Sequence, residues 1–150
     1  MGKYDGPYFE TDNNVVSIWL AKTEYKKIPE DYWVENYEGE DDEAWNQFSN
    51  DFGFGSYNTD LVESFYDNTN FSKISTNNLL KFLSFSKSFI DAAKEKAEKL
   101  LIKESSYAYL IYNFEYDPLT TGITENNLFT FLGAFKFDKN SDSVEYFFNV

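Results

Sequence analysis

Residues 15–20 read VVSIWL, apolar and largely β-branched at odd and even positions alike. Successive side chains of a strand point to opposite faces, so such a segment needs cover on both sides. It therefore belongs in the interior of a sheet that has a layer on each face. A chain of 150 residues fits one domain, which buries roughly 70% of its unfolded surface. Hydrophobic residues at 42% and aromatics at 21% can fill such a core, and they argue against disorder despite a net charge of −13.

The rest of the chain supplies the layers. Residues 1–14 are polar, with Gly2, Gly6 and Pro7, and read as a loose N-terminal arm on a single domain at 15–150. Pro29 suits a first helical turn, and Glu30 and Asp31 favour the positive end of a helix dipole, so a short helix is expected to about residue 37. Residues 38–43 (EGEDDE) read as a turn into a second helix on which Trp45, Phe48 and Phe52 share a face. Gly53 and Gly55 end it, and 61–66 (LVESFY) is a strand candidate. A short apolar helix follows at 79–83. The clearest helix is expected at 87–103, with Phe89, Ile90, Ala93, Ala97, Leu100 and Leu101 on one face. Ser88 and Asp91 suggest a capping box at its start, and Lys94–Glu98 and Glu95–Lys99 are i,i+4 pairs.

The last third reads as an antiparallel meander. Its strands are 107–116 (YAYLIYNFEY), 128–137 (LFTFLGAFKF) and an edge strand at 144–149 (VEYFFN), with Pro118 and Gly122 in the first connection. Period 2 puts Phe129, Phe131, Phe135 and Phe137 on one face, while Gly133 suggests a bulge or a close backbone approach. The expected fold class is α+β, one domain with a mainly antiparallel sheet of four to five strands and helices packed on it.

Charge is distributed unevenly. Residues 28–71 contain 12 acids and no lysine, and the chain has no arginine, so all 13 lysines lie elsewhere among the other 14 acids. The same stretch interleaves Trp33, Trp45, Tyr32, Tyr37, Phe48, Phe52 and other aromatics with its carboxylates. An AT-rich coding sequence explains plentiful Phe, Tyr, Asn, Lys and Ile without arginine, but not why lysine avoids this stretch. A solvated face is the bland reading. Like charges on neighbouring helices cost a few tenths of a kcal/mol per close pair, however, and no lysine relieves them here. A surface that meets a cationic protein would exploit that field, with Trp and Tyr as anchors. Core packing is the competing role for each ring. It is favoured for Trp45, and evenly balanced for Trp33 and Tyr37.

Several chemistries are excluded or weakened. The chain has no cysteine and no histidine, which removes disulfides, thiolate chemistry and the usual base and transition-metal ligand. Asp51-Phe52-Gly53 spells the metal-binding triplet of kinases without its companion motifs, so a helix stop is the better reading. Asp138, Asn140 and Asp142 match the start of a calcium loop, but Ser143 and Asn149 occupy the positions that need glycine and glutamate, so a turn is preferred. The run Glu40–Glu43 offers a cation only a row of neighbours, and acid pairs are too abundant to single out a glycosidase-like site. No cofactor or metal is expected. Residues 1–7 lack the apolar core of a secretion signal, Gly6 replaces the hydroxyl a myristoyl signal needs, and a cytoplasmic protein is expected. Its charge repels nucleic acid and anionic membranes, so neither is an expected partner.

The chain resembles the bacterial immunity protein 22 family of polymorphic toxin systems. The resemblance is carried by VSIWLAK (16–22), FSNDFGF (48–54) with Asp60 beyond it, FSKSFI (85–90), IYNFEYD (111–117) and FLGAFKF (131–137). The N-terminal arm and the acid run at 38–43 match nothing in it. It implies a non-enzymatic cytoplasmic antidote that binds a cognate toxin, often a nuclease, and it supplies no catalytic residues. From charge and aromatic content, the expected contact residues are Trp33, Glu35, Tyr37, Glu38, Glu40, Asp41, Asp42, Glu43 and Asp60. The protein is expected to be a monomer alone and a heterodimer with its toxin. An acidic DNA mimic or regulatory binding module is the alternative, and it would compete with DNA for several unrelated basic proteins. A carboxylate enzyme is the third reading, and it would need two acids about 5 to 10 Å apart in a cleft.

Overall fold

The segment that needs cover on both faces is the interior strand of a four-stranded sheet. This is seen in a computed structural model that describes residues 7–35, 46–67 and 69–145. Strand β1 (Val15–Ala21) is buried at every position. Strand β2 (Val62–Phe65) is at one edge of the sheet, and β3 (Ile74–Ser75) and β4 (Glu104–Ser105) form a separate two-stranded ladder. Strands β5 (Ala108–Tyr112) and β6 (Phe129–Lys136) flank β1, giving the order β2-β5-β1-β6 with every neighbouring pair antiparallel. The last third is therefore not a meander. A meander would leave β1 at an edge, whereas a strand apolar on both faces is best placed with a partner on each side.

The two faces of β1 feed two cores. Val16, Ile18 and Leu20 join Leu79, Leu80, Leu83, Phe89, Ile90, Ala93 and Ala97 in an aliphatic core. That layer comprises α2 (Thr76–Lys81), α3 (Ile90–Lys99) and the turn between them. On the other face Trp19 and Ala21 join an aromatic core with Phe48, Phe52, Phe54, Tyr109, Phe129 and Phe131. Helix α1 (Gln47–Asp51) and a 3-10 turn at Glu30–Trp33 cover it. Ser17 is the polar exception. Its hydroxyl donates to the Phe114 carbonyl at 2.6 Å and accepts from the Tyr116 amide at 2.9 Å, so its burial leaves no group unpaired.

The extra residue in β6 redistributes its side chains. Ile18 pairs with Gly133 and Trp19 with Phe131, so Leu132 is a bulge residue. One added residue turns everything beyond it to the opposite face. Phe129 and Phe131 therefore fill the aromatic core, while Phe135 and Phe137 pack on the aliphatic one, instead of all four sharing a face. Gly133 is both the bulge site and a close approach, since a Cβ there would meet Phe135 Cζ at 2.8 Å.

The helices are shorter than the hydrophobic period suggested. The expected helix at 87–103 is a 3-10 turn at Ser86–Ser88 followed by α3. Ser88 does not cap it: its hydroxyl donates to the Phe85 carbonyl at 2.6 Å and accepts from the Asp138 amide at 2.9 Å. The i,i+4 pair Glu95–Lys99 forms at 3.5 Å. Leu101 takes φ +60° and ends the helix, leaving Leu100 and Leu101 at 40% and 80% exposure while Ile102 packs inward. The helix expected from Pro29 is the single 3-10 turn, with Pro29 as its N-cap and extended backbone by Val34. Helix α1 holds Phe48 and closes on Phe52 as its C-cap, starts with an Asn46–Ser49 capping box, and is followed by Gly53 at φ +76°; Trp45 lies outside the described residues. Helix α2 starts before residue 79, capped by Ser75.

Of the arm expected to be loose, residues 7–14 are held down. The Gly55 amide donates to the Pro7 carbonyl, the Glu115 amide to that of Phe9, and the Phe9 ring packs edge-on against Phe54 and Phe114. At the other end Val144 and Glu145 are not in a strand: their amides bond Ser86 Oγ and the Lys81 carbonyl. The remainder of that expected strand lies outside the described residues. Connection 113–128 includes the short helix α4 (Pro118–Thr121).

Candidate functional site

The acid-rich stretch is tied to the aromatic face of the sheet. Tyr32 is buried beneath the 3-10 turn, and its hydroxyl donates to Asp51 Oδ2 at 3.0 Å. Asp51 also accepts from Asn126 Nδ2 at 3.0 Å and Gln47 Nε2 at 2.7 Å, and Asn126 Nδ2 donates to the Tyr32 hydroxyl as well. The aspartate of the Asp-Phe-Gly triplet is thus a strut between the 3-10 turn, α1 and the start of β6. Asp51→Ala should lower stability by about 1–3 kcal/mol, because it strands the donors that aim at it. Urea unfolding should show this as an earlier midpoint with unchanged slope.

Trp33 follows immediately. Its half-buried ring stacks on Tyr109 at 4.2 Å between centroids and packs on Phe48 at 5.3 Å. Asn46 reaches back to it: Nδ2 lies 3.4 Å from the Trp33 carbonyl and donates to the Tyr57 hydroxyl at 2.7 Å. Tyr57 and Tyr109 share a 2.7 Å bond between hydroxyls. Burial pushes the Tyr57 hydroxyl up to about 12 and raises Tyr109 too, with the nearby Glu35 carboxylate contributing to both. Trp33 thus lies on Tyr109, and Asn46, just after 36–45, bonds back to the Trp33 carbonyl just before it.

Asp60 is exposed on the 3-10 turn Thr59–Leu61 that leads into edge strand β2, with Asn58 Oδ1 accepting its amide hydrogen. The structure gathers Trp33 and Glu35 and sets Asp60 at the entrance to the strand paired with β5. Tyr37, Glu38, Glu40, Asp41, Asp42 and Glu43 lie outside the described residues.

Glu63 and Asp67 are held by neutral hydrogen-bond donors rather than by lysine. Glu63 accepts from the Tyr112 hydroxyl at 2.6 Å and from the amide and hydroxyl of Ser84 at 3.1 and 2.6 Å. Asp67 accepts from the Thr69 amide, then Asn70 and Ser72, and is held below the usual carboxylate range. The ion pairs among the described residues are Lys22–Glu125, Lys27–Glu24, Lys81–Glu145 and Lys99–Glu95, and each takes its acid from outside 28–71. Glu30, Asp31 and Asp60 remain exposed.

Residues missed from sequence lie beside Trp33. Tyr25 stacks on Tyr66 at 4.2 Å and, more loosely, on Phe71 and Tyr107 at 5.3 and 5.5 Å. Tyr107 in turn is near-parallel to Trp33 at 5.9 Å. Hydrogen bonding with Tyr66, then burial, push the Tyr25 hydroxyl up to about 12. No local spacing signals this, because the rings come from four separate segments.

Residues 16–138 match the profile of the family described as Immunity protein 22. The chain belongs to that family. No curated protein and no solved structure matches it. The match runs from β1 to just beyond β6, so the whole sheet of this immunity protein is family structure. Membership supports an immunity role and implies a toxin as partner. No helix among the described residues is long and apolar enough to cross a membrane. Among the same residues no group of three or more acids could hold a metal ion. The calcium-like segment is a turn in which Asp138 accepts from the Asn140 amide at 2.9 Å.

Proposed function

We propose that this immunity protein is a cytoplasmic antidote that binds a basic, nuclease-type toxin domain and covers its active site with the acidic, aromatic surface around Trp33. In this reading Glu35, Glu38, Glu40, Asp41, Asp42, Glu43 and Asp60 meet toxin Lys or Arg side chains. Trp33 and Tyr37 supply apolar area. The chain is a monomer alone, forms a heterodimer with its toxin, and performs no catalysis. The observation that carries the reading is the unspent charge. Asp51, Glu63 and Asp67 accept from neutral donors, Glu30, Asp31 and Asp60 stay exposed, and the ion pairs seen among the described residues take their acids from outside 28–71. An acid surplus the fold does not consume is available to a partner.

Acidic surfaces speed association by roughly 10 to 10³-fold, an advantage that salt screens. Converting Glu35, Glu38, Asp41, Asp42 and Glu43 to their amides should slow association with the cognate toxin by roughly that factor at low salt. It should also weaken protection of toxin-producing cells. A rate constant indifferent to both the substitutions and salt would rule out electrostatic docking.

A further inference from the structure

We propose that the pocket walled by Tyr25, Trp33 and Tyr107, with Glu30 beside it, is the seat of one arginine side chain of the toxin. This rests on the antidote reading above and names its anchor. The pocket has a volume of about 340 Å³, which is at the small end of ligand-sized pockets and suits one side chain rather than a loop. Three aromatic residues line it, and two of the rings lie nearly parallel to Tyr107, at 23° for Tyr25 and 15° for Trp33. Ile28 and Pro29 add apolar lining. A cation entering such a space leaves water, so it needs both ring faces and a carboxylate in compensation. Glu30 supplies the carboxylate, exposed to solvent and near enough to Tyr25 for its charge to act on that hydroxyl. Asp31 and Glu35 extend the negative charge along the same short segment.

Arginine fits better than lysine. Its planar, weakly hydrated guanidinium can lie along ring faces while forking onto a carboxylate, whereas an ammonium is a compact, strongly hydrated point. The stack already accepts a cation at its far end, where Lys26 Nζ sits 5.3 Å from the centroid of Phe71. Lys26 also lines the pocket, so the visiting charge must come from the side of Glu30 and Trp33.

The test is a titration of the full chain with N-acetyl-arginine amide, followed by NMR shifts of the Tyr25, Trp33 and Tyr107 rings. The isosteric, uncharged citrulline amide is the control. Saturable shifts confined to these rings are expected, with citrulline weaker by about tenfold, as loss of one cation–π and carboxylate contact implies. Glu30→Gln, at an exposed position, should weaken the arginine amide about threefold while leaving the fold intact. Tyr25→Leu, with thermal unfolding as the fold check, should abolish ring-selective shifts. Equal shifts from arginine and citrulline, or shifts outside the pocket, overturn the inference. If five-acid amidation abolishes toxin neutralisation but Glu30→Gln and Tyr25→Leu leave it untouched, this anchor fails and the antidote reading stands. A wild-type chain that seats the arginine amide but neutralises no toxin overturns the antidote reading and, with it, the toxin as source of the arginine.

Discussion

Raised above pH 10, the protein should lose stability steeply and unfold in one cooperative step by about pH 12. Burial pushes the hydroxyls of Tyr57 and Tyr116 up to about 12, and raises Tyr32, Tyr107, Tyr109 and Tyr112 as well. In the unfolded chain these groups ionise near pH 10. Between the two values the unfolded state has released protons that the folded state retains, so rising pH favours unfolding. The contribution is fully present below the unfolded value and is lost as pH climbs through the folded one. Each such tyrosine removes about 1.4 kcal/mol per pH unit in that window, so Tyr57 and Tyr116 alone remove roughly 5 kcal/mol over two units. Tyr25 is only partly buried, and its share is discounted for solvent screening. Domains of this kind hold about 5–15 kcal/mol in total, so the four other buried tyrosines need add little. The tyrosinate absorbance of these six rings should appear only as the far-ultraviolet circular dichroism is lost. Ionisation of all 12 tyrosines near pH 10 with the dichroism unchanged would contradict the buried placement of these rings.

Trp19→Ala should be the most damaging single core substitution. The side chain is fully buried on the interior strand, with Phe48, Phe131 and Tyr116 at 5.0, 5.1 and 5.3 Å between ring centroids, and with Phe52 and Phe54 close by. The loss should be about 3–5 kcal/mol. For a domain of this size that lowers the melting temperature by roughly 6–20 °C. Trp19→Phe should cost less than half as much. Trp19 Nε1 is buried with no hydrogen-bond partner among the described residues, so phenylalanine removes area but also an orphaned donor. Calorimetry of the two variants side by side tests this. Equal losses would mean that the indole nitrogen is satisfied.

What could be read in the sequence was what a short window contains. VVSIWL needed cover on both faces, and it lies between two strands and two layers. Gly133 was visible as a bulge or close approach, but its effect on Phe135 and Phe137 depends on register against β1, which no window in β6 holds. The same holds for the meander: β5 and β6 are consecutive strands of the sheet, yet their pairing is decided by a strand near the other end of the chain. Leu100 and Leu101 continued the helical period, and one left-handed residue took them out of it. At the site, Trp33, Glu35 and Asp60 stood out as acid and aromatic neighbours. Tyr25 and Tyr107 lie far apart along the chain, and only the folded sheet brings them together.

The clasp of Asn46 on Trp33, reinforced by the Phe48 ring, fixes both feet of segment 36–45 at one spot. An insert whose feet are already joined can grow or change composition cheaply, since doubling its length adds only about 0.6 kcal/mol of closure entropy. On the antidote reading proposed above, a different sequence grafted between those two residues would change which toxin is neutralised at little cost in closure entropy.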